Sequence, residues 1–126
     1  MEFGVQLYVE DSGKALEFYK KAFNAEVKGE ILWHDNIKNG MVIHAELNVF
    51  GQTLAISDVE YGIGDPTIFG NNFQIGFRRV KRDMIDKIYD VLKEDAVSAN
   101  PPNKTGYSDY CLGITDKYGV HWCIFE

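Results

Sequence analysis

The chain has 126 residues, one domain of ordinary size, and carries 19 acidic against 13 basic side chains for a formal charge of −6. With 45% hydrophobic and 25% charged residues it can bury a core, which excludes a disordered chain, and its acidic balance repels nucleic-acid phosphates and anionic membranes at long range. The one basic run, Arg78-Arg79-Val80-Lys81-Arg82, lacks interleaved aromatics and reads as a solvated strand end leading into a helix.

Met1 to Val9 has neither a basic start nor a long apolar run, and no stretch approaches the roughly 18 apolar residues of a membrane span. The expectation is a cytoplasmic protein whose two cysteines, Cys111 and Cys123, are reduced thiols, since they form no CxxC pair. Residues 3–9 alternate as a strand, with Val5, Leu7 and Val9 on one face and Gly4, Gln6 and Tyr8 on the other. Asp11-Ser12 then offers a helix N-cap, followed by a stripe of Ala15, Leu16, Tyr19, Ala22 and Phe23 at helical spacing, with Asn24 as the end. Three strands follow: 27–33, then 41–50 after an Asn39-Gly40 turn, then 53–57 after Gly51-Gln52. In the middle one, Ile43, Ala45, Leu47 and Val49 oppose Val42, His44, Glu46 and Asn48. Residues 61–72, with Gly62, Gly64, Pro66 and Gly70, form a loop long enough for a linker or a lid.

The pattern then begins again. Phe73, Ile75 and Phe77 mark a strand, Asp83 caps a helix with the stripe Ile85, Ile88, Tyr89 and Leu92, and 96–106 is loop. Residues 107–115 and 119–125 read as strands joined by the turn Asp116-Lys117-Tyr118-Gly119. Placing Tyr89 on Tyr19 aligns Ile75 with Val5, Phe77 with Leu7 and Gln74 with Gly4, an internal repeat of about seventy residues. The fold class is therefore α+β: two βαβββ repeats, about 1–60 and 72–126, within one domain spanning 1–126.

The opening Val9-x-Asp11…Ala15-x-x-Phe18-Tyr19…Phe23-x-Ala25 resembles that of the glyoxalase, bleomycin-resistance and extradiol-dioxygenase (vicinal oxygen chelate) superfamily. His44-Ala45-Glu46-Leu47, Gly51, Leu54 to Asp58 and the close Asp116-Lys117-Tyr118-Gly119-Val120-His121-Trp122 are similar to its PhnB-like branch. The resemblance implies a glyoxalase-like fold whose curved mixed sheets form a cleft, and commonly a homodimer. It also implies a divalent metal held by two His or Gln and two Glu, polarising substrate oxygens. Carried over position by position, the first ligand falls at Gly4, which has no donor atom, with Gln6 next on that face. The first carboxylate falls at Glu46, beside His44, the second first-strand ligand at Gln74, and the last carboxylate at Cys123, on the face of His121.

The candidate site is accordingly Glu46 as catalytic base and metal ligand, with His44 and Gln74 as further metal ligands. Gln6, Tyr8, His44, Gln74, His121, Cys123, Trp33 and Tyr110 are the candidate ligand-binding residues. Each has a plainer reading. His44 could be a solvated sheet residue, Glu46 a hydrogen-bond acceptor and Cys123 a small buried apolar group, and Tyr61, Tyr107 and Tyr110, in or near loops that could close over the cleft, could equally be dimer contacts. The incomplete ligand set makes no cofactor the preferred expectation over a divalent metal. Two functions stay open: a small-molecule-binding lyase, isomerase or dioxygenase with a degenerate metal site, or a metal-free protein that sequesters a ligand or antibiotic. The expected partners are a small molecule and a second copy of the chain.

Overall fold

Alternating apolar residues that must bury one face, followed by a helical stripe that must bury one side, leave little choice but a helix packed on a sheet. In the computed structural model, which describes residues 1–62 and 66–126, this happens twice. The first unit, Met1–Ile68, contains β1 (Val5–Val9), α1 (Ser12–Phe23), β2 (Glu26–Trp33), β3 (Val42–Val49) and β4 (Gln52–Asp58). Its sheet has the order β1-β4-β3-β2, with β1 parallel to β4 and the remaining pairs antiparallel. Pairing sets Val5, Leu54, Leu47 and Val27 in one cross-sheet row and Leu7, Ile56 and Ala45 in the next. Against this face α1 buries Ala15, Leu16, Tyr19, Ala22 and Phe23, the five residues of its sequence stripe.

The start of α1 differs from expectation. Asp11 has a left-handed backbone and makes no side-chain cap. Ser12 turns inward instead: its Oγ donates to Asp58 Oδ2 at 2.9 Å and accepts from the Val42 backbone N–H at 2.8 Å. One buried hydroxyl thus ties the helix start to β3 and to the end of β4. Asn24 closes the helix in a left-handed conformation, the geometry that asparagine tolerates best after glycine.

The second unit, Phe69–Glu126, contains β5 (Ile75–Phe77), α2 (Arg82–Leu92), β6 (Ser98–Ala99), β7 (Cys111–Thr115) and β8 (His121–Phe125). Its sheet order is β5-β8-β7-β6, with β5 parallel to β8. Ile75, Trp122, Ile114 and Ala99 form one row, and Phe77, Ile124 and Leu112 the next, covered by Ile85, Ile88 and Leu92 of α2. Here the strands are shorter than the pattern suggested. Phe73 is exposed, and residues 107–110 precede β7 rather than belonging to it. Lys81, not Asp83, occupies the N-cap position of α2, and the Asp83 carboxylate accepts from the adjacent Met84 N–H.

The closing motif has a structural cause. The Asp116 carboxylate is fully buried and accepts from the Trp122 indole N–H at 2.8 Å and from the backbone N–H groups of Tyr118 and Val120. Gly119 takes φ +83 in the same turn. Asp, Gly and Trp at these positions make one hairpin end. In the linker region, Gly64 lies outside the described residues. Among the described residues no helix is long and apolar enough to cross a membrane.

Candidate functional site

In the first unit the face of the sheet away from α1 is polar. Gln6, Ala55, Glu46 and Lys28 lie in one cross-sheet row, and Tyr8 and Ser57 in the next. These side chains largely pair with each other. Gln6 Nε2 donates to Ser57 Oγ at 2.7 Å, Lys28 donates to Thr53 Oγ1 at 2.6 Å, and His44 Nε2 lies 3.2 Å from Glu46 Oε2. Both members of the His44–Glu46 pair are well solvated, with side chains 43% and 40% exposed. The Tyr8 ring packs against Gly62, where any Cβ would collide with it.

In the second unit the corresponding face is hollow. Gly76, Cys123 and Gly113 make the row equivalent to Gln6, Ala55 and Glu46. Two bare positions flank one small thiol, so no side chain fills the space above the sheet. The segment 100–107 arches over it, held by a two-way backbone bridge between Asn103 and Cys111. The result is a cavity of about 620 Å³ lined by Gln74, Asn100, Asn103, Tyr107, Cys111 and Cys123, together with Pro101, Pro102, Thr105 and Gly113. None of these residues carries a formal charge. Tyr107 reaches in from the loop: its ring meets Phe125 edge-on, and its hydroxyl lies 3.4 Å from Cys123 Sγ and 3.8 Å from Cys111 Sγ. Its phenol is pushed above the usual tyrosine range, first by the hydrogen bond to Cys123 and then by that to Cys111. The Cys111 thiol is also pushed up, chiefly by burial.

The other candidates lie apart from this cavity. Tyr110 donates to Asp86 on α2 and lies under the Arg82 guanidinium, 4.4 Å from its ring centre, on the exposed side of the unit. That hydrogen bond, with Asp86 nearby, raises its phenol above the ordinary range. His121 Nδ1 sits 2.7 Å from Thr115 Oγ1, and its Nε2 meets the Gly70 carbonyl. Trp33 is half-buried at the end of β2. Of the residues chosen from sequence, Gln74 and Cys123 share the second-unit cavity, while Gln6, Tyr8, His44 and Glu46 share the polar face of the first sheet.

The donors present do not fit the metal site that the resemblance implies. Glu46 stands on β3 and Cys123 on β8, which are not equivalent strands. The repeat partner of Cys123 is Ala55, and that of Glu46 is Gly113. Gly4 has no donor, Gln6 is engaged with Ser57 and Glu46 with His44. Among the described residues no group of three or more His, Cys, Asp or Glu side chains could hold a metal ion.

Of the cavity's residues, Cys111 was read from the sequence only as a reduced thiol, and Tyr107 only as a loop tyrosine able to close over the cleft or to make dimer contacts. Cys111 was findable. With a four-residue turn at 116–119, residues whose numbers sum to 236 face each other, which places Cys111 diagonal to Cys123 on the same sheet face. For Tyr107 the sequence placed the residue in a loop near the cleft, while its contact with the two thiols depends on the conformation of that loop.

The model of the Glyoxalase/Bleomycin resistance protein/Dioxygenase superfamily matches residues 4–124 of the chain. Among solved structures, a putative 3-demethylubiquinone-9 3-methyltransferase, PhnB protein, from Bacillus cereus is 23% identical, with a TM-score of 0.78 over 99% of this chain and 98% of its own. The fosfomycin resistance protein FosX from Listeria monocytogenes is 16% identical, with a TM-score of 0.70 over 99% of this chain and 91% of that one. A gene product from Arabidopsis thaliana is 25% identical, with a TM-score of 0.63 over 100% of this chain and 98% of that one. No curated protein sequence matches the chain.

Proposed function

Because the chain belongs to the Glyoxalase/Bleomycin resistance protein/Dioxygenase superfamily, we propose that it is a cytoplasmic protein that binds a small organic molecule in the cavity of its second unit. The observation carrying this reading is the open row Gly76–Cys123–Gly113 under the 100–107 arch. Its volume of about 620 Å³ lies inside the range of small-molecule sites. The lining supplies amides from Gln74, Asn100 and Asn103, a phenol, two thiols and two proline rings, but no countercharge. It therefore suits an uncharged ligand with an apolar body and hydrogen-bonding groups. A cation finds its carboxylate on the other unit, at Glu46, and gains nothing here.

Holding the ligand, as a sequestering protein does, is the favoured role, because among the described residues no group of His, Cys, Asp or Glu side chains is assembled for the family's metal chemistry. A second reading rests on one observation, the contact between His44 and Glu46. A carboxylate that orients an imidazole is a proton-transfer device, and a solvated pair of this kind suits a lyase or isomerase acting without a metal. A two-fold homodimer belongs to the same proposal, supported by the exposed apolar side chains of Phe3, Ile37, Ile68, Phe69 and Phe73.

The test is ligand-dependent thermal stabilisation with a panel of neutral aromatic compounds, cationic compounds serving as controls. A ligand at 100 times its dissociation constant stabilises the native state by about 2.7 kcal/mol. Stabilisation confined to cationic compounds, or none at all, would retire the reading.

A further inference from the structure

The polar side chains around the second-unit cavity fall into two sets. In the first, every group is already engaged. The Tyr107 hydroxyl and the thiols of Cys111 and Cys123 hydrogen-bond to one another, and Thr105 Oγ1 donates to the Ser108 carbonyl while accepting from the Tyr107 N–H. The second set is the side-chain amides of Gln74, Asn100 and Asn103, which have no hydrogen-bond partner among the described residues. In the first unit, by contrast, Gln6 commits its amide to Ser57. The one charged side chain of the 100–107 arch, Lys104, does not line the cavity, and its ammonium lies 3.8 Å from Asp109 Oδ1. Recognition of a polar ligand by side chains therefore falls to the carboxamides.

Their placement defines the shape that they can read. Gln74 directly precedes β5 at one edge of the four-stranded sheet, and Asn100 directly follows β6 at the other. Asn103 is held beside Cys111 of β7 by its two-way backbone bridge. Between them the floor is the bare row Gly76–Cys123–Gly113. A Cβ at Gly113 would meet nothing within 4 Å, and one at Gly76 would come no closer than 3.7 Å to the Cys123 carbonyl, so a flat ring can lie against the strands. Carboxamides at the rim of such a floor meet the edge of the ring rather than its face. Each offers donors and an acceptor side by side in one plane, the arrangement that pairs with a ring N–H next to a ring carbonyl. Building on the reading that this cavity holds an uncharged organic molecule, we propose that its ligand is a flat cyclic amide, a lactam or imide, whose in-plane N–H and C=O are paired by Gln74, Asn100 and Asn103. A carboxylate would bring a charge that the lining cannot balance, and a lactone of the same shape leaves the amide oxygens without a donor.

The test is calorimetry with two matched pairs of bicyclic probes, isoindolinone against phthalide and carbostyril against coumarin, in each of which a ring oxygen replaces the N–H of the lactam. Each lactam should bind about tenfold or more tighter than its lactone. Gln74→Met, Asn100→Leu and Asn103→Leu keep side-chain size without the amide. Each alone should lower the lactam preference by about threefold, and the three combined should bring lactam and lactone within about twofold of each other, with circular dichroism checking that the fold is kept. Gly113→Leu should abolish binding of both members of a pair. Lactones that bind the parent as tightly as the lactams, or a preference that survives all the carboxamide substitutions, would overturn the proposal while leaving the cavity reading in place if Gly113→Leu still blocks them. If neither pair binds, the proposed class is wrong. Hits elsewhere in the neutral panel would then keep the cavity reading, and a silent panel would retire both.

Discussion

The two units follow one plan and differ in what they do with it. In the first, α1 buries seven of its twelve residues, whereas α2 buries three of its eleven, so the first unit carries the greater part of the helix–sheet core. Tyr19 is fully buried, and its repeat equivalent Tyr89 is half-buried. The faces turned away from the helices differ in the opposite sense. Gln6, Glu46 and Lys28 fill the first, while the second is emptied by Gly76 and Gly113. The two units thus share one sheet plan, in which the first covers its outer face with side chains that pair with each other and the second leaves that face open.

The comparison can be broken at its buried groups. Asp116→Ala removes the acceptor of three hydrogen bonds, one from the Trp122 indole, and should cost about 3–5 kcal/mol in urea unfolding. Asp58→Ala, which leaves Ser12 still bonded to the Val42 N–H, should cost less, about 1–3 kcal/mol. Tyr19→Ala should destabilise by about 3–5 kcal/mol and Tyr89→Ala by about 1–2 kcal/mol. Equal losses at the two tyrosines would erase the asymmetry between the units.

Alkaline pH sharpens the same contrast. Cys111 and Tyr107 both hold their protons more tightly in the folded state than in the unfolded chain. The stabilisation this brings is complete below the unfolded thiol value of about 8.5 and is lost as pH rises through the folded values. The urea midpoint should therefore fall between neutral pH and pH ~10, and fall less in Cys111→Ala. A midpoint that rises over that range would contradict the burial of this thiol.

The smallest expected change in stability is at Gly113. A Cβ there meets nothing within 4 Å, and its backbone is ordinary, so Gly113→Leu should keep stability within about 1 kcal/mol while filling the cavity. Ligand-dependent thermal stabilisation should vanish in that variant. Its survival would place the ligand elsewhere.

The architecture was legible because it is written in periodicities. The stripe of α1, the alternation of β3 and the seventy-residue repeat each follow from burying one face. The capping residues were not legible. Ser12 bonds across the fold to Asp58 and Val42, a tertiary choice that overrides the local preference of Asp11. The site was half legible. Gln74 and Cys123 line the cavity, but what creates it is the absence of side chains at Gly76 and Gly113, and a missing side chain marks no chemistry in a sequence. The Asp116…Trp122 motif, prominent in the resemblance, proves to be hairpin architecture.

The most direct measurement of the central claim is amide chemical-shift mapping of isotope-labelled protein with the best ligand from the neutral panel. The account predicts perturbations at Gln74, Asn103, Tyr107, Gly113 and Cys123, with His44 and Glu46 unmoved. Perturbations gathered instead around Gln6, His44 and Glu46 would contradict it and move the binding site to the first sheet.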